Sequence, residues 1–117
     1  MGKWISTEKF LDYARKDLEE GGERGLVNAY SNLKRAMHCQ IDKILEHFDL
    51  NKIKIIKKYN FNQKFELIQR LGFISPISFK DLNKSRNLLE HEYLMPDKQE
   101  VKFGLDLVIL FTENTKL

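Results

Sequence analysis

The chain has 117 residues, 42% of them hydrophobic and 32% charged, which suits one globular domain and excludes both a second core and a disordered chain. Twenty Lys+Arg against 17 Asp+Glu give a net charge of +3, which permits a polyanionic partner without requiring one. Cys39 is the only cysteine, so an intramolecular disulfide is excluded.

Met1 to Ser6 opens the chain without the apolar run of a signal peptide. A helix is expected from about Thr7 to Glu20. Ser6 or Thr7 can cap it, Phe10, Leu11, Ala14 and Leu18 recur at helical spacing, and Gly21-Gly22 ends it. The next segment has the clearest period in the chain: Leu26, Ala29, Tyr30, Leu33, Met37, Ile41, Ile44, Leu45 and Phe48 mark a long amphipathic helix. Asn51 to Tyr59 alternates basic and apolar residues and fits either a helix or a loop. Asn62 to Leu71 reads as another helix, built on Phe65, Leu67, Ile68 and Leu71 and stopped by Gly72. Phe73 to Pro76 is a connection, because Pro76 disfavours helix at Ser75. Ser78 then caps a helix to about Leu94, with Asp81 near the positive end of its dipole, and Pro96 closes it.

Asp97 and Glu100 resemble a capping box for a last helix. Val101, Phe103, Leu105, Leu107, Ile109 and Phe111 also alternate as a strand would, but the cap and the apolar Val108 and Leu110 favour helix. Leu105 to Phe111 is the most apolar stretch, yet it carries Asp106 and is far shorter than the roughly 20 residues that span a bilayer. The expectation is one all-α domain over residues 1–117, an antiparallel four- to five-helix bundle, cytoplasmic and with no membrane partner.

The residues that carry chemistry lie in the helix expected over 78–94: Arg86-Asn87-Leu88-Leu89-Glu90-His91-Glu92-Tyr93. With 5 Arg and 3 His in the chain, an Arg and a His at this spacing arise by chance roughly 0.13 times. Adding Asn after the Arg and Tyr two beyond the His lowers that to about 3 in 10,000. An unperturbed imidazole has its pKa near neutrality, so His91 suits a general base; the planar charged fork of Arg86 suits phosphate oxygens; Asn87, one turn before His91, can orient it or a phosphate.

This R-N-x-x-x-H-x-Y run resembles the signature of the HEPN (higher eukaryote and prokaryote nucleotide-binding) superfamily, Arg followed after four to six residues by His. The form with Tyr two beyond the His is similar to HEPN toxins paired with a minimal nucleotidyltransferase antitoxin. The specific match covers eight residues; the layout match, a small helical bundle with the motif in a late helix, covers nearly the whole chain. The resemblance implies a HEPN-like bundle and a metal-independent endoribonuclease with no cofactor, whose products carry a 2′,3′-cyclic phosphate and a 5′-hydroxyl. It implies that Arg86, Asn87 and His91 are catalytic, that RNA is the substrate, and that Tyr93 is modified by the nucleotidyltransferase partner. It also implies a homodimer with two motifs facing each other. Positions five apart diverge by about 140° and leave Arg86 and His91 on different sides of a regular helix, so either the helix is distorted or another copy completes the site, and the resemblance implies the second.

Simpler readings stand beside these. Arg86 and Glu90 make an i,i+4 pair of the kind found on any solvated helix. Tyr93 shares a stripe with Leu89 and suits a core. His38-Cys39 are adjacent and point about 100° apart, so they do not form a metal pair, and Cys39 fits inert packing. Lys52, Lys54, Lys57 and Lys58 read as a solvated face more readily than as a phosphate-binding patch. The alternative function is a non-catalytic HEPN-like bundle that binds nucleotide, RNA or a protein partner; a helical interaction domain without nucleic acid is a third.

Overall fold

The computed structural model describes residues 4–74, 95 and 97–116. Among these residues the chain is helical and contains no strand: α1 (Thr7–Glu20), α2 (Gly22–His47), a 3-10 turn (Leu50–Lys52), the single turn α3 (Lys54–Lys57), α4 (Phe61–Arg70) and α5 (Lys98–Asn114). The helix expected over 78–94 lies outside the described residues.

Local signals account for the ends. Ser6 caps α1, its hydroxyl accepting from the Lys9 N–H at 3.2 Å. Gly21 and Gly22 turn the corner into α2 with φ of 77° and 69°, a region that side chains with a Cβ avoid. A reciprocal box starts α4: Asn60 accepts from the Gln63 N–H, and the Gln63 side chain accepts from the Asn60 N–H, both at 2.9 Å. This N-x-x-Q pattern lies just ahead of the expected start at Asn62. Gly72, with φ 85°, ends α4 in a Schellman motif: the Phe73 N–H reaches the Ile68 carbonyl and the Gly72 N–H the Gln69 carbonyl. The strand-like alternation near the C-terminus yields to helix. Asp97 caps α5 through the Gln99 N–H, and Val101, Leu105, Val108 and Phe111 are buried while Phe103 is 59% exposed.

The helices α1 and α2 form an antiparallel hairpin. The pairs Asp17–Asn32 (2.7 Å), Thr7–Gln40 (3.2 Å) and Glu8–Lys43 (4.0 Å) step away from the turn in opposite chain directions. α5 packs against both helices, and α4 packs against α2. The core between them is lined by Leu11, Ala14, Tyr30, Leu33, Met37, Ile41, Ile44, Ile68 and Val108. Each large aliphatic side chain buried there contributes about 1.5–3 kcal/mol relative to exposure. Phe48 departs from the expected stripe: α2 ends at His47, so Phe48 is the C-cap and remains 51% exposed.

Two buried positions lock the hairpin. At Gly25 a Cβ would lie 2.5 Å from the Asp17 carbonyl oxygen, a backbone atom that cannot swing aside. Gly25→Ala gains up to about 1 kcal/mol of helix propensity, but separating the helices costs about 1–3 kcal/mol. Urea unfolding should therefore show net destabilisation, and an unchanged or raised midpoint would mean the helices can part freely here.

Gln40 is the second position, 3% exposed and buried between three elements. Its carbonyl accepts from the Thr7 hydroxyl, and its amide donates to the Thr115 carbonyl and hydroxyl at 3.2 and 3.1 Å. Gln40→Leu keeps the bulk but leaves those buried groups short of partners, at a cost of about 1–3 kcal/mol. Calorimetry of this variant should show a lowered Tm; wild-type stability would mean that water replaces the amide.

Candidate functional site

Arg86, Asn87, His91 and Tyr93 lie outside the described residues. The chain on either side of them is firmly held: Ile74 and Val101 are both core residues, 5% and 1% exposed. The run therefore sits in the sequence between two segments anchored in the same hydrophobic core.

A groove of about 900 Å³ runs between the N-terminal segment and α2, lined in part by Trp4, Ile5, Phe10, His38, Cys39 and Asp42. Its two candidate reactive groups face different neighbours. The His38 ring stands edge-on to Phe61 with centroids 5.1 Å apart, and its Nε2 is 3.7 Å from Asp42 Oδ2. The Cys39 thiol points to the Ile5 carbonyl at 3.9 Å. No shared ligand position or nucleophile–base pair results. A second hollow of about 640 Å³ contains Glu8, Lys43, Glu46, His47 and Lys116. Opposite charges alternate there, so the hollow lacks the single-signed field that would draw in a phosphate. Among the described residues no three His, Cys, Asp or Glu side chains gather as a metal site.

The lysine-rich connection between α2 and α4 takes a form that the sequence left open. Ile56 is buried at 8% exposure, Leu50 and Tyr59 are half-buried against the core, and Lys52, Lys54, Lys57 and Lys58 are on the surface. Lys57 and Lys64 border a hollow of about 220 Å³ with Asn51 and Asp42, where Lys64 is paired to Asp42 at 2.8 Å.

Gln40 is a structural residue that its residue type alone does not announce. The available signal was its register: it follows Met37 by three and precedes Ile44 by four, which places an amide on the apolar face of α2.

Comparison with family models, curated proteins and solved structures finds no match to this chain. The described residues define an α-helical protein in which no helix is long and apolar enough to cross a membrane.

Proposed function

We propose that this chain is a HEPN-like helical bundle acting as a metal-independent endoribonuclease, a homodimer that serves as the toxin or defence effector of a toxin–antitoxin pair. The observation that carries the reading is the run Arg86-Asn87-Leu88-Leu89-Glu90-His91-Glu92-Tyr93, with its low chance expectation. The helical frame before and after the run is compatible with it.

In this reading His91 takes the proton of an RNA 2′-hydroxyl, and the 2′-oxygen attacks the adjacent phosphorus. The bond from phosphorus to the 5′-oxygen breaks, and the departing oxygen takes up a proton from solvent. Arg86 holds the phosphate oxygens as negative charge builds on them, and Asn87 orients His91 or the phosphate. A two-fold axis brings the Arg86 and His91 segments of two protomers together, which reconciles their divergence on a regular helix.

The test is the chemistry of the cut ends. Purified chain incubated with single-stranded RNA should release fragments with 5′-hydroxyl and 2′,3′-cyclic phosphate termini, at the same rate with or without EDTA. Fragments with 5′-phosphates, or a strict need for a divalent cation, would overturn the mechanism. RNA retained but left intact would favour the non-catalytic bundle.

A further inference from the structure

The connection between α2 and α4 carries charge and exposed apolar surface that the ribonuclease reading does not use. Residues 50–58 contain four lysines and no carboxylate. Lys52 is paired with Asp49 at 3.2 Å, but Lys54, Lys57 and Lys58 form no ion pair among the described residues. These three stand at i, i+3 and i+4 and share one side of the turn. A solvated lysine face ordinarily hides the apolar residues between its charges. Here Ile56 alone is hidden, while Ile53 and Ile55 are 45% and 65% exposed.

We propose that this connection docks on an anionic lipid surface, with Ile53 and Ile55 entering the boundary of the acyl chains and Lys54, Lys57 and Lys58 meeting headgroup phosphates. The lysines fix the sign of the partner, because their charge is not neutralised within the described surface. The isoleucines fix its class. Branched aliphatic side chains give bases no flat surface to stack on, so single-stranded RNA would answer the lysines and leave the isoleucines in water. A bilayer interface takes up both together. The contact is peripheral, needs no spanning helix, and is independent of whether the chain cuts RNA.

Co-sedimentation of the full chain with lipid vesicles tests it. The chain should bind phosphatidylcholine vesicles containing phosphatidylglycerol, release from them at high salt, and ignore phosphatidylcholine alone. Each lysine near such a surface strengthens binding about fivefold, so the combined Lys54→Gln, Lys57→Gln and Lys58→Gln variant should bind about 100-fold more weakly. Ile53→Ser with Ile55→Ser should weaken binding about tenfold or more without changing net charge or helicity. Lys9→Gln, Lys98→Gln and Lys102→Gln, which remove equal charge elsewhere, should leave binding close to wild type. Equal binding to both vesicle types, equal loss in this control, or no effect of the isoleucine pair would each overturn the proposal. The last result together with lysine-dependent retention of single-stranded RNA would assign the lysines to nucleic acid instead.

Discussion

His91→Ala should abolish RNA cleavage, slowing it by about 10²–10⁴-fold, while helicity measured by circular dichroism stays at the wild-type level. Arg86→Ala should be crippled by about 10²–10³-fold, and Arg86→Lys should recover only part of that loss, because an ammonium lacks the two-pronged fork that grips phosphate oxygens. Mixing the two inactive proteins under conditions that exchange protomers provides a sharper test. If Arg86 of one protomer works with His91 of the other, each mixed dimer contains one intact site of two, and an equimolar mixture, in which about half the dimers are mixed, recovers about a quarter of wild-type activity. If both residues act within one chain, mixing restores nothing, and the composite site is abandoned in favour of a distorted helix. Full activity of His91→Ala would end the ribonuclease mechanism altogether.

Silencing through Tyr93 is the second large effect. Co-expression with a partner nucleotidyltransferase should raise the intact mass by whole nucleotide units and extinguish cleavage, whereas Tyr93→Phe should stay unmodified and active. A nucleoside monophosphate on the phenol adds bulk and negative charge two residues from His91. Its phosphate is also a mimic of the substrate's and can pair with Arg86, occupying the site it blocks. The modification requires the Tyr93 oxygen to reach solvent even if the ring packs beside Leu89, an arrangement that tyrosine favours. A modified protein that still cuts RNA would detach Tyr93 from control while leaving the roles of His91 and Arg86 untouched.

The candidate site is legible in the sequence as a set of residue types at fixed spacing, and those types carry its chemistry. Its geometry belongs to Arg86, Asn87, His91 and Tyr93, which lie outside the described residues. Away from the site, the sequence determined by itself where helices start and stop. Ser6, Gly21-Gly22, Gly72 and Asp97 act through hydrogen bonds and backbone angles within a few residues, so α1 and α4 emerge close to their expected bounds, and α5 starts directly after its expected cap. A helical period also separates Val101, Leu105 and Val108 from Phe103, which is why the apparent strand alternation did not prevail.

Only the tertiary structure decided which apolar residues would be covered and which polar ones would be enclosed. Ile53, Ile55 and Ile56 are chemically identical, and nothing local selects Ile56 to be the one buried. Gln40 reaches partners 33 and 75 residues away, and the size limit at Gly25 is set by the Asp17 carbonyl on the preceding helix. Capping and periodicity are read along one segment, whereas burial and close approach depend on which other segment comes to lie against it, and that choice is made by the whole core at once.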